Sequence, residues 1–164
     1  MYSVRIAKFA VTLLLFTIAL AAQAHAQNNK QIISGTFYED RATNAANSTL
    51  LFLTFLQSPA NKYLNITNVS CRIFTGSQQV LEDVTLFVGT TSGNDDLGRD
   101  YSVRGNVSPQ TLTNASFYSI VTNQIYYKMG PGRFPTVRID AGVATNIQVI
   151  IEASCVLVGN LTDN

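Results

Sequence analysis

The sequence predicts an all-β fold, specifically an antiparallel β-sandwich of jelly-roll-like form with about eight strands. Two observations support this prediction. Short apolar, β-branched segments alternate with turn residues along the chain after residue 30, which is the pattern of a two-sheet β-domain. No segment shows the apolar period of a long amphipathic helix. The sequence therefore indicates one β-sandwich domain over residues 27–164.

Each strand is predicted from apolar content bounded by turn residues. The predicted strands are 31–38, 50–56, 63–74, 80–90, 116–129 (one strand or two), 136–140 and 145–159, with a short edge strand within 99–105. The polar segment 40–49 is predicted to be a loop. Turns are predicted at 57–62, 75–79, 91–98 and 130–135, where Gly, Pro, Asn and Asp are concentrated. In 80–90, Val84, Leu86 and Val88 share one face.

The segment "LNITNVSCRIF" contains two apolar sets that are out of phase. The first set is Leu64 and Ile66, and the second is Val69, Cys71 and Ile73. One extra residue at 67–68 would turn both sets to the same face, which is the signature of a β-bulge. The alternative is that Asn68 faces a polar neighbour in a regular strand.

The two cysteines are predicted to form a disulfide. Cys155 shares one face of the last strand with Ile147, Val149, Ile151, Ala153 and Leu157, so both cysteines point to the core. In an oxidising compartment this favours a Cys71–Cys155 bond, worth about 4 kcal/mol for the loop that it closes. The alternatives are two buried free thiols and a redox pair, which lacks the C-x-x-C spacing.

The N-terminus has the pattern of a secretory signal peptide. Basic "MYSVRIAK" is followed by "FAVTLLLFTIALAA" and "AQAHAQ", with cleavage after Ala24 or, as favoured here, after Ala26. The apolar run is short for a membrane span of about 20 residues, although an uncleaved anchor is the alternative. We therefore expect an exported protein, periplasmic or extracellular, with residues 1–26 removed and no membrane span afterwards.

Cleavage changes the charge and the available chemistry. Removing Arg5 and Lys8 leaves 9 basic against 10 acidic residues, and a near-neutral domain lacks the footprint of a nucleic-acid binder or a polybasic membrane binder. The sole histidine, His25, is also removed. We thus expect no histidine-based nucleophilic catalysis, no zinc site and no cofactor.

Aromatic residues are the candidate ligand-binding residues. They cluster in "FYSIVTNQIYYKMGPGRF", and the candidates are Tyr118, Tyr126, Tyr127 and Phe134. Exposed tyrosines there could stack on sugar rings, as aromatic side chains stack on bases. The alternative is that they are core residues with hydroxyls at the rim; strand alternation puts Ile125, Tyr127 and Met129 on one face and Tyr126 on the other.

Acidic residues offer two further alternatives. The loop "GNDDLGRD" contains Asp95 and Asp96 and could hold calcium, although its spacing is not that of an EF-hand loop. Glycoside hydrolysis would need two converging acids. The candidates by residue type are Glu39, Asp40, Glu82, Asp83, Asp140 and Glu152.

Two segments carry a resemblance. "SPANKYLNITNVSC" and "FPTVRIDAG…IQVIIEASCVLVG" resemble a loosely defined group of small, uncharacterised exported bacterial β-sandwich proteins with a V-S-C…S-C cysteine pair. The resemblance covers about 50 residues centred on Cys71 and Cys155, and implies a β-sandwich carrying that pair. It implies no activity and no functional residue.

The sequence thus favours a non-enzymatic exported protein that acts by binding or as an envelope or extracellular structural component. The alternative is a carbohydrate-binding module that uses exposed tyrosines in 117–134. A glycan or a protein is the expected partner.

Overall fold

The chain was analysed as a computed structural model, which describes residues 27–103, 110–111, 115–143 and 149–163. The predicted signal peptide, residues 1–26, lies outside the described residues. The described residues form ten strands and no helix. The strands are Asn28–Ser34 (β1), Phe37–Ala46 (β2), Leu50–Thr54 (β3), Tyr63–Gly76 (β4), Gln79–Gly89 (β5), Tyr101–Ser102 (β6), Gln110–Thr111 (β7), Ala115–Met129 (β8), Phe134–Val143 (β9) and Ile151–Thr162 (β10).

The strands build two antiparallel sheets. The six-stranded sheet has the order β1-β2-β10-β4-β8-β7, and the four-stranded sheet has the order β3-β9-β5-β6. Strands β2-β10-β4-β8 thus pack on β3-β9-β5-β6, and the chain changes sheet at most connections. This is the winding of a jelly roll, and it confirms the predicted all-β sandwich.

One apolar core lies between the sheets. Val84, Leu86 and Val88 of β5, which the sequence predicts to share one face, are all buried. The largest fully buried side chains are Tyr38, Phe55, Leu53, Leu64, Ile66, Ile73, Leu81, Leu86, Ile120, Ile125, Met129 and Ile139. They come from both sheets, so each sheet covers the apolar face of the other.

The predicted bulge in β4 is confirmed at Thr67. Ile66 pairs with Gly159 and Asn68 pairs with Val158, so Thr67 is the extra residue on β4. Its hydroxyl donates to the carbonyl of Val158 at 3.3 Å. The bulge keeps both apolar sets of β4 in the core, because Leu64, Ile66, Val69, Cys71 and Ile73 are all buried.

The strand predicted at 31–38 is divided by a turn into two strands, and the loop predicted at 40–49 is wrong over 40–46. Gly35, at φ 60°, and Thr36 turn the chain, so that Ser34 lies opposite Phe37 in a β1–β2 hairpin. The supposed loop is instead strand β2, which pairs with β1 on one side and β10 on the other. A polar segment can form this strand because its backbone is paired on both sides. Its polar side chains are accommodated because alternate residues of β2 face solvent.

The predicted disulfide is present. Cys71 and Cys155 are paired neighbours on β4 and β10, with Cα atoms 4.1 Å apart. The bond therefore joins two strands of the same sheet on its core side.

Candidate functional site

The four aromatic candidates do not form one exposed surface. Tyr118 is buried, and its hydroxyl accepts the backbone N–H of Leu81 at 3.2 Å. Tyr127 is also buried and donates to the carbonyl of Arg99 at 2.5 Å. Phe134 is half-buried on the other sheet, so only Tyr126, 92% exposed, is free to stack on a ligand.

The physical reason is strand alternation along β8. Ile125, Tyr127 and Met129 point into the core and Tyr126 points out, as the period of two predicts. A tyrosine in β8 therefore faces either the core or the solvent, and two of the three in the candidate set are core residues with satisfied hydroxyls.

The acidic candidates are divided between the two sheets and the core. Asp40 is buried between the sheets. Asp83 and Asp140 are neighbours on the four-stranded sheet, where Asp140 accepts from Arg138 Nε at 2.9 Å and Asp83 accepts from the hydroxyl of Thr85. Both carboxylates are thus held by adjacent side chains.

In the acidic loop after β5, the carboxylates accept hydrogen bonds from residues of the same loop. Asp96 accepts the backbone N–H and the hydroxyl of Thr90, and these bonds lower its pKa. Asp95 accepts the N–H of Gly98 at 3.2 Å. Within the described ranges, no cluster of three or more His, Cys, Asp or Glu side chains could hold a metal ion.

The candidate site lies on the outer face of the six-stranded sheet. Strands β2, β10 and β4 are neighbours there, and residues that alternate with buried ones point outward. A depression of about 340 Å³ opens on this face. It is lined by Arg41, Thr43, Ser70, Arg72, Phe74, Glu152, Ala153, Ser154 and Val156.

Two arginines line this depression, and we call them the arginine pair. Arg41 comes from β2 and Arg72 from β4, with one strand, β10, between them. Both are exposed, and among the described residues neither has a carboxylate within 4.0 Å. A guanidinium group that is exposed and has no carboxylate partner is available to an anionic ligand.

An aromatic pair adjoins the arginine pair. Phe74 on β4 lies directly opposite Phe117 on β8, with ring centroids 4.8 Å apart. The guanidinium carbon of Arg72 lies 5.8 Å from the Phe117 ring centroid. Both phenylalanines are half-buried, so part of each ring edge or face remains open to solvent.

Hydroxyl groups form the floor between the arginines. Thr43 Oγ1 donates to Ser154 Oγ at 3.1 Å across β2 and β10. Ser70 lines the same depression from β4. Hydroxyls both donate and accept hydrogen bonds, so this floor suits a ligand rich in hydroxyl groups.

A second depression of about 220 Å³ opens further along the same face. It is lined by Asn65, Ile66, Thr67, Ile125, Tyr126, Tyr127 and Lys128. Asn65 and Lys128 are paired neighbours on β4 and β8. Lys128 Nζ lies 4.7 Å from the ring centroid of Tyr63, which gives this end of the face its own cation and aromatic rings.

The charge of the outer face is positive. The strand registers place Lys30 beside Arg41 on this face. With Arg72 and Lys128, the described residues of the face thus include four cations and two acids, Glu39 and Glu152. The chain after residue 26 has one more acid than base, so the positive charge belongs to this face and not to the whole domain.

Sequence reasoning missed the arginine pair. The period of two in "SCRIF" does place Ser70, Arg72 and Phe74 together on one face, so the part of the site that β4 contributes could be predicted from the sequence. Arg41 was missed because its segment was predicted to be a loop. Its proximity to Arg72 depends on the strand order β2-β10-β4.

Comparison with known proteins does not assign the chain to a family. No protein-family model matches the chain, and no curated protein matches it. Across the described residues, no helix is long and apolar enough to cross a membrane.

Proposed function

We propose that the protein is an exported, non-enzymatic binding protein that holds an anionic ligand on the outer face of its six-stranded sheet. The observation that carries the proposal is the arginine pair, two exposed guanidinium groups on one depression of about 340 Å³ that have no carboxylate partner among the described residues. A guanidinium binds a carboxylate through two parallel hydrogen bonds, which gives both affinity and orientation.

Binding fits this depression better than hydrolysis. Among the described residues that line it, Glu152 alone has a carboxylate. Glycoside hydrolysis uses two carboxyl groups that flank one bond. A lone acid beside two arginines instead limits the positive charge and favours a ligand with both anionic and neutral groups.

Export is supported by two observations of different kind. The N-terminal sequence has the pattern of a signal peptide. The Cys71–Cys155 disulfide is consistent with an oxidising compartment, since such bonds persist mainly outside the cytosol.

Of the tyrosines proposed for a carbohydrate site, Tyr118 and Tyr127 are buried and Tyr126 is exposed, so a sugar could stack on Tyr126. A glycan partner is still compatible with the arginine pair, the hydroxyl floor and the Phe74–Phe117 pair.

The proposal is tested by NMR titration of the protein with glucuronate, which carries a carboxylate, and with glucose, which does not. We expect glucuronate to shift the Nε–Hε signals of Arg41 and Arg72, and glucose to shift them little. Arg41→Gln and Arg72→Gln should each weaken the response. Arg138→Gln is the matched control, because Arg138 pairs with Asp140 on the other sheet. Equal responses to both sugars, or shifts that survive both substitutions, would contradict the proposal.

A further inference from the structure

We infer that the anionic ligand is a linear acidic polysaccharide, with carboxylates on its sugar rings, that runs along the outer face from the arginine pair to Tyr126. This inference rests on the proposed function and names the ligand class and its path. It is argued from two depressions that lie along β4 and from the cation and aromatic rings found at each of them.

The two depressions are aligned along β4. Arg72 and Phe74 line the first, and Asn65 lines the second. With Thr67 bulged out, the path from Arg72 to Asn65 is about 20 Å at ~3.4 Å per residue. A monosaccharide or a small free anion would fill one depression only, whereas a chain lying along the strand would fill both.

Each end of this path has a cation beside an aromatic ring. At the first end, Arg72 lies beside the Phe117 ring. At the second, Lys128 lies 4.7 Å from the Tyr63 ring centroid, and the ring of Tyr126 is 92% exposed. A uronic acid presents a carboxylate to a cation and the C–H face of its ring to an aromatic side chain, so it matches both ends.

The described side chains between the ends are of small or medium size, polar on β4 and apolar on β10. Ser70 and Asn68 point outward from β4, next to Val156 and Val158 of β10. Asn68 Nδ2 donates to the carbonyl of Thr122 at 3.2 Å, which holds this side chain against the sheet. Along β4 and β10, where the side chains between the two ends are described, no large side chain lies in the path of a flat polymer.

The density of charge favours an acidic glycan over nucleic acid. The outer face has four cations, and Glu39 and Glu152 lie among them. Nucleic-acid sites neutralise closely spaced phosphates with clustered Lys and Arg, and acids on the same face oppose that contact. Carboxylates separated by neutral hydroxyl groups match the spacing of cations and hydroxyls seen here.

The test is calorimetric titration with oligouronates, from the monosaccharide to the octasaccharide, and with the neutral octasaccharide of the same linkage. We expect affinity to rise with length until the chain spans both depressions, and then to level off. Tyr126→Ala should weaken binding of the octasaccharide by about tenfold and leave the monosaccharide unchanged, because it removes one stacking ring. Tyr126→Phe is the matched control, since it keeps the ring, and Arg72→Gln should weaken binding of every length.

The outcomes separate this inference from the proposed function. If all lengths bind alike and Tyr126→Ala has no effect, the extended path is wrong and the arginine pair alone binds the anion. If only single-stranded DNA or anionic lipid vesicles bind, and Arg72→Gln removes that binding, the glycan is wrong and the proposed anion-binding function of the arginine pair stands. If the neutral octasaccharide binds as tightly as the acidic one, or if no anion binds, both proposals fail.

Discussion

Cys71 and Cys155 lie directly opposite each other on β4 and β10, with Cα atoms 4.1 Å apart and both side chains buried. The bond joins residues 84 positions apart in the chain. It therefore fixes the last strand in the middle of the sheet that carries the candidate site.

Removal of this disulfide should destabilise the protein strongly. Replacing both cysteines with alanine should lower the free energy of unfolding by about 2–5 kcal/mol, because the unfolded chain loses a long-range constraint. Urea unfolding followed by circular dichroism measures the change. Thiol labelling of the native protein before and after reduction is the control, and rapid labelling without reduction would contradict the disulfide.

Asp40 should make stability depend on pH. It is buried, its Oδ2 accepts the N–H of Leu56 at 2.8 Å, and its Oδ1 has no hydrogen-bond partner within the described structure. Burial raises the pKa of Asp40, so protonation favours the folded state. This contribution is complete below the unfolded pKa of about 3.9 and is lost as pH rises through the higher folded pKa.

Asp40→Asn should remove that part of the pH dependence. As pH rises above about 4, we expect the free energy of unfolding of the wild type to fall relative to that of Asp40→Asn, because only the wild type has a carboxyl group to deprotonate at this position. Asp40→Ala should lose about 1–3 kcal/mol at pH below about 4, because the N–H of Leu56 loses its acceptor, and this loss should shrink as pH rises because alanine also removes the titrating carboxyl. Urea unfolding over a pH series measures both, and a pH-independent difference for Asp40→Asn would contradict the raised pKa.

Gly159 should tolerate no side chain. A Cβ atom at this position would lie 2.4 Å from the carbonyl oxygen of Asn65 and 2.9 Å from Cδ1 of Leu64, so β10 would have to move away from β4. Gly159→Ala should lower the free energy of unfolding by about 1–3 kcal/mol. Gly130→Ala is the matched control, because its nearest neighbour is Arg133 Nε at 3.9 Å. Equal melting temperatures for both variants would contradict this packing.

Tyr118 should act in stability and not in ligand binding. Tyr118→Phe leaves the buried N–H of Leu81 without its acceptor, which should cost about 1–3 kcal/mol. Tyr126→Phe should leave stability unchanged, because the Tyr126 side chain is almost fully exposed. Thermal unfolding compares the two variants. A stable Tyr118→Phe variant that no longer binds glucuronate would return Tyr118 to the list of candidate ligand contacts.

The sequence by itself determined which side of most strands faces the core. The period of two is local, so it placed Val69, Cys71 and Ile73 on one face and separated Tyr126 from Tyr127 without knowledge of the fold. The bulge at Thr67 was predictable for the same reason, because a one-residue slip in apolar phase needs one extra residue. The disulfide was predictable from two core-facing cysteines and a predicted signal peptide.

Only the tertiary structure decided which strands are neighbours. The polar segment of β2 is a strand because β1 and β10 satisfy its backbone from both sides, and its composition alone did not indicate this. Arg41 and Arg72 line one depression because β10, the last strand in the chain, inserts between β2 and β4. Such long-range pairing depends on the burial of whole faces and not on local propensity, so only the strand order of the six-stranded sheet brings the residues of the candidate site together.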